Sequence, residues 1–120
     1  MKIKEVMNKN FINVSPNDIG GEVVQLLYEK HKNYAPVIED GKLVGWITAL
    51  DLLMGCKHSK IEDLMLLIDE VKVLKEEDEI TDDLIEEMIK NEDVAYPVVN
   101  DEEEIVGTLS VFDLLKTYKN

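Results

Sequence analysis

The sequence predicts an α/β (α+β) fold: two β-α-β-β-α repeats, packed sheet to sheet about a pseudo-twofold axis. Three observations predict it. The stretch VGWITALDLL, Val44 to Leu53, returns as VGTLSVFDLL, Val106 to Leu115. A helix-like apolar pattern precedes both copies at the same spacing. One copy of about 60 residues would bury only a marginal core, so two are expected to share one.

The elements follow in order. Short leading segments, IKEVM at 3–7 and IEDLM at 61–65, match one another. Brief strands are expected after them, at 11–14 and 71–74. With Pro36 set against Pro97, Ile19, Val23, Val24, Leu27 and Tyr28 fall on Ile80, Leu84, Ile85, Met88 and Ile89. That spacing is the apolar face of an amphipathic helix, and Asp82, Asp83, Glu86 and Glu87 form the solvated face of the second one. After each proline comes an apolar run, then a polar turn (EDGK or NDEEE), then LVGWIT or IVGTLS. This is a β-hairpin pattern. The second turn is one residue longer, which aligns Gly45 with Gly107 and Asp51 with Asp113. Each hairpin is predicted to run into a helix, over Ala49–Met54 and over 111–118, with Gly55 ending the first. The polar KHSK at 57–60 joins the copies and sets the repeats at 1–58 and 59–120.

Composition excludes several classes. A 45% hydrophobic, 32% charged chain is that of a globular protein. The lysines of MKIKEVMNKN are followed by no apolar stretch, so no signal peptide is read, and no apolar run approaches the roughly 20 residues of a membrane helix. The expected location is cytoplasmic, and the lone Cys56 agrees with a reducing compartment. A net charge of −13, from 13 lysines with no arginine against 26 acids, argues against nucleic acid as partner. The charge is uneven along the chain: residues 1–60 carry +1 and residues 61–120 carry −14. An anion is therefore expected to prefer a site in the first copy.

Thr48-x-x-Asp51 and Ser110-x-x-Asp113 sit where a strand turns into a helix, and two uses fit them. In a capping box the hydroxyl accepts the amide three residues on and the acid reaches back, worth about 1 kcal/mol. In a ligand clamp the helix N-terminus favours phosphate, and a carboxylate one turn in accepts ribose hydroxyls.

The blocks YAPVIEDGKLVGWITALDLL and AYPVVNDEEEIVGTLSVFDLL, with FINVSPND ahead of the first long helix, resemble the tandem cystathionine-β-synthase (CBS) domain pair, or Bateman module, over essentially the whole chain. The resemblance implies that Thr48, Asp51, Ser110 and Asp113 hold the ribose and phosphate of an adenosine-type ligand: AMP, ATP or S-adenosylmethionine. It further implies clefts with walls from both copies. Thr48 and Asp51 would face Val71, Val73, Val94, Ala95 and Tyr96; Ser110 and Asp113 would face Phe11, Ile12, Asn33, Tyr34 and Ala35. Lys57, His58 and Lys60, just beyond the first of these helices, are the nearest candidates for phosphate contacts, and Lys4, Lys9 and Lys32 are others. The missing arginines count against di- and triphosphates.

Other chemistry is not written in the chain. There is no phosphate loop, nucleophile elbow or zinc-protease motif, and Cys56-x-His58 alone is no metal site. The expectation is a non-catalytic, stand-alone regulatory module that signals ligand occupancy to a partner protein. The alternative is a structural dimerisation module with both motifs acting as caps. Leu50, Leu53, Met54, Phe112, Leu115 and Tyr118 are apolar beyond what one pair of repeats needs, so a homodimer is expected.

Overall fold

The computed structural model describes residues 1–119 and runs α1 (Ile3–Val6), α2 (Gly20–Lys30), β1 (Tyr34–Glu39), β2 (Lys42–Thr48), α3 (Ala49–Met54), β3 (Leu66–Leu67), β4 (Leu74–Lys75), α4 (Asp82–Asn91), β5 (Ala95–Val99), β6 (Ile105–Ser110) and α5 (Val111–Lys116). Short 3₁₀ turns lie at Ile61–Asp63 and Ile68–Glu70. The strands form two three-stranded sheets, β1-β2-β3 and β4-β5-β6. The chain folds into two compact units: Phe11–Val71, and Met1–Asn10 together with the residues from Lys72 onward. The repeats in sequence and the units in space are thus different divisions. Segment 61–65 packs within the unit of the first hairpin, while the N-terminal segment packs within the unit of the second.

Both hairpins form as their turns dictate. Asp40 (φ 52) and Gly41 (φ 80) both take the left-handed conformation, which a tight two-residue turn between twisted strands requires. The longer second turn is organised by Asn100, whose Oδ1 accepts the amides of Glu102 (2.9 Å) and Glu104 (3.0 Å). The strands expected at 11–14 and 71–74 are shorter than that. Val14 makes one parallel bridge to Val37, and only Leu74–Lys75 pairs in parallel with β5. Turns begin at once in both copies, as Asp18 N–H donates to Ser15 O and Asp78 N–H to Lys75 O. Helix α5 ends at Lys116, two residues before the expected end. Its last turn tightens because the Thr117 hydroxyl and amide both donate to Leu114 O.

The glycines aligned by the repeat have a steric cause. A Cβ on Gly45 would lie 2.5 Å from Met65 Sδ and 2.9 Å from Leu66 O; one on Gly107 would lie 2.8 Å from Met7 Sδ and 3.0 Å from Asn8 O. In each unit a leading segment crosses directly over the second hairpin strand, and only a residue without a side chain permits that approach. Strand β3 pairs with β2 at Gly45 and Trp46 in one unit; within the other, Asn8 exchanges two backbone hydrogen bonds with Thr108.

Each unit has its own core, built at matching positions. One gathers Val14, Val23, Leu27, Ala35, Val37, Ile47, Leu52 and Ile61. The other gathers Ile3, Met7, Leu74, Leu84, Met88, Tyr96, Val98 and Leu109. Ile3 and Ile61, the first apolar residue of each leading segment, are both almost wholly buried. The apolar face expected on the long helices is only partly covered. Val23, Leu27, Leu84 and Met88 are buried, but Val24, Tyr28 and Ile89 are exposed, because the packed stripe is narrower than the apolar one. Among the described residues no helix is long and apolar enough to cross a membrane.

Two stability predictions follow from this packing. Gly45→Ala and Gly107→Ala should each destabilise by about 1–3 kcal/mol, since neighbouring backbone must shift to admit the methyl group. Glu92 ends α4 at φ 56, so Glu92→Gly should stabilise by about 1 kcal/mol through relief of the left-handed strain. Circular-dichroism melts should show the glycine variants several degrees below the parent and Glu92→Gly above it.

Candidate functional site

Thr48 and Ser110 are each the last residue of a hairpin strand and the N-cap of the helix that follows. Their extended backbones (ψ 162 and 165) turn the chain from strand into helix. Both junctions are closed in the same way. Asp51 Oδ2 accepts the Thr48 amide at 3.0 Å and the Thr48 hydroxyl at 2.7 Å, while the Asp51 amide donates to Thr48 Oγ1 at 3.2 Å. Asp113 Oδ2 accepts the Ser110 amide at 2.9 Å and its hydroxyl at 3.0 Å, and the Asp113 amide donates to Ser110 Oγ at 3.2 Å. The capping-box reading of both motifs is therefore realised. Every one of these carboxylate contacts falls on Oδ2, which leaves Oδ1 outside the cap.

The two caps differ in burial. Ser110 and Asp113 are 4% and 6% exposed, whereas Thr48 and Asp51 are half-buried. The residues that precede each hairpin's proline sit against the cap of their own unit. Tyr34 pairs with Thr48 and Ala95 with Ser110 across the ladders. The Ala49 amide donates to Asn33 O and the Val111 amide to Val94 O, both at 2.9 Å. Asn33, Tyr34, Ala35, Phe11, Ile12 and Val71 thus belong to the unit of Thr48 and Asp51. Val94, Ala95, Tyr96 and Val73 belong to that of Ser110 and Asp113.

Several of these side chains already have structural duties. Ala35 is wholly buried and Ile12 packs against the core of its unit. Tyr96 is a core residue whose hydroxyl donates to Asp93 Oδ2 at 2.7 Å. Burial first, and then the bond to Asp93, pushes its phenol well above the ordinary value, so it stays a neutral donor. Lys57 and His58 are exposed and follow the C-terminal end of α3. Thr48 caps the opposite end, about 9 Å away for a six-residue helix. The Lys57 carbonyl instead accepts the Gly21 amide at 2.8 Å, docking the junction on the start of α2.

Trp46 escaped the sequence reading. Its ring stacks on Tyr34 with centroids 5.3 Å apart and planes 13° from parallel. The hairpin register pairs Pro36 with Trp46 and Tyr34 with Thr48, so the rings are diagonal neighbours on one face, which a registered hairpin alone would have revealed. The second copy has Ala95 and Thr108 at those places, so its cap has no aromatic neighbour of this kind.

Charge is shared differently in space than along the chain. The unit Phe11–Val71 holds five lysines and ten acids, a net −5; the other holds eight lysines and sixteen acids, a net −8. The contrast of +1 against −14 between sequence halves nearly disappears. Residues 1–10 carry lysines into the acidic unit and residues 61–71 carry only acids into the other. Lys2 and Lys4 both pair with Glu77, at 3.1 and 2.7 Å.

Two like units, each with a hydroxyl–carboxylate cap at a strand-to-helix junction, define a tandem-repeat α/β protein. The chain belongs to the CBS domain family, whose pattern matches residues 3–57 and 61–120, and it is a tandem CBS pair. It is 82% identical to a CBS domain-containing protein of Methanocaldococcus jannaschii, over all of this chain and 97% of that protein. Among solved structures it is similar to protein MJ1004 of the same organism, with a TM-score of 0.87 at 28% identity over 98% of this chain and 59% of that one. It is also similar to the CBS domain pair of protein MJ0100 in complex with 5′-methylthioadenosine and S-adenosylmethionine, with a TM-score of 0.82 at 26% identity over 99% and 96% of the two chains.

The unequal burial of the caps sets a further expectation. Ser110→Ala should cost more stability than Thr48→Ala, toward the upper and lower ends respectively of the roughly 0.5–2 kcal/mol range for lost caps. Denaturant midpoints of the two variants measure the difference.

Proposed function

We propose that this CBS pair is a regulatory module that binds an adenosine-type ligand (AMP, ATP or S-adenosylmethionine) at the Thr48/Asp51 and Ser110/Asp113 junctions and signals occupancy to a partner protein in the cytoplasm. The observation that carries this reading is the division of labour within each aspartate: Oδ2 closes the cap, and Oδ1 lies outside it. Cap and clamp are then compatible, with one oxygen for each. A ribose hydroxyl donating to Oδ1 leaves the junction intact. The complex of the MJ0100 pair with two adenosine compounds supports the choice of ligand class. The reading assigns the chain no reaction of its own.

We further propose that the module is a homodimer. Leu50, Leu53 and Met54 are 73–90% exposed on α3, and Phe112 and Leu115 are more than half exposed on α5. Apolar side chains at matching positions of both copies suit a self-complementary interface. Light scattering at micromolar concentration should return twice the 13.7 kDa chain mass.

A thermal melt against an adenosine panel tests the ligand reading. A ligand at a hundred times its Kd adds about 2.7 kcal/mol, several degrees in a chain of this size. Asp51→Ala or Asp113→Ala should abolish the shift at the affected site, with a loss of affinity far above the ~1 kcal/mol of the cap. A panel with no shift, in a well-folded dimer, would favour the purely structural module instead.

A further inference from the structure

We infer that the surface formed by β3 and the 3₁₀ turn after it docks a protein segment that combines apolar side chains with lysine or arginine. Leu67 is 53% exposed and Ile68 37%, adjacent in the chain at the edge of the β1-β2-β3 sheet. The fold does not require apolar residues there. Asn8 meets Thr108 in the other unit as Leu66 meets Trp46 in this one, so Lys9 and Asn10 occupy the places of Leu67 and Ile68. Both counterparts are polar and exposed. An apolar pair on a sheet edge invites association, and one of two like units folds without it.

Charge selects the occupant. Residues 61–71 carry Glu62, Asp63, Asp69 and Glu70 and no lysine, and all four acids are exposed. Their unit is −5 overall. Acids on both sides of an apolar pair match a segment of opposite charge and repel an anionic membrane surface. The mode of contact is set as well. The Leu67 amide donates to Glu70 Oε1 at 2.9 Å, so it is not open to an added strand, and the partner docks through its side chains. Strand β2 joins this surface to the first cap, since Trp46 pairs with Leu66 and Thr48 ends the strand. The inference gives the regulated partner a chemistry, and it stands whether or not the junctions bind a ligand.

The test is isothermal titration of the full chain, with no nucleotide added, against a short synthetic leucine–lysine peptide and against the same peptide with glutamate for lysine. Trp46 is the chain's one tryptophan and the ladder partner of Leu66, so its emission reports binding at β3. The lysine peptide should bind saturably and shift that emission, and the glutamate peptide should give no heat. Leu67→Asn/Ile68→Asn changes only exposed side chains; it should weaken binding by about tenfold or more and leave the melting temperature unchanged. Glu62→Gln/Asp63→Asn/Asp69→Asn should weaken binding at low salt and remove most of its salt dependence. Three results overturn the inference: no heat from the lysine peptide, equal affinity for the parent and Leu67→Asn/Ile68→Asn, or a Trp46 shift with phosphatidylglycerol vesicles in place of the peptide.

Discussion

A single carboxylate oxygen closes each strand-to-helix junction. Oδ2 of Asp51 or Asp113 receives the amide and the hydroxyl of the residue at which the strand ends, and the oxygen of the same hydroxyl accepts the aspartate amide. The rest of the site depends on this closed loop. It fixes the direction in which α3 and α5 leave their sheets, and it decides which carboxylate oxygen the cap uses. By the ladder register it also places Tyr34 or Ala95 beside the cap. The residues before Pro36 and Pro97 reinforce the junction from the neighbouring strand, since Asn33 O and Val94 O take the first helical amides. Two different segments of each unit thus meet at one point.

Both copies keep this loop but surround it differently. In the first, Tyr34 stacked on Trp46 walls a half-buried cap; in the second, Ala95 and Thr108 stand at those places and the cap is nearly closed to solvent. Equal polar atoms in unequal surroundings make the second cap the costlier to break and the first the more accessible. The apolar faces, by contrast, are conspicuous at equivalent positions of both copies: Leu50 and Phe112, Leu53 and Leu115. Symmetry is therefore kept where a partner surface would read it and relaxed beside the caps.

Much of this was legible in the chain, for definite reasons. The hairpins announce themselves through EDGK and NDEEE, because turn chemistry is local. The two long helices follow from apolar period, and the caps from a hydroxyl three residues before an acid. What could not be read is what depends on long-range choice. IKEVM and IEDLM are alike enough that a repeat cannot say which hairpin each will cross; Gly45 and Gly107 record that something crosses, not which segment. Nor does an apolar stripe say how much of itself the fold will cover, so Val24, Tyr28 and Ile89 looked like core and are exposed. The brief strands shrank because a turn begins directly after each, and a turn competes with the ladder for the same backbone groups.

The placement of the leading segments alters electrostatics as well as packing. Counted along the chain, the second half is overwhelmingly acidic, and a polyanionic surface of that density would repel itself. Folding sends the lysines of residues 1–10 into that unit, where Lys2 and Lys4 converge on Glu77 and the N-terminal amine meets Glu79 at 2.8 Å. Those exposed pairs individually add little to stability. Their placement nonetheless spreads the charge, while residues 61–71 carry acids the other way. Ile3 and Met7 supply the apolar contribution that anchors the basic segment, since both are buried in the core of that unit. One short segment thus completes a core and dilutes an acidic surface, and charge counted by sequence half misjudges the field that either cap experiences.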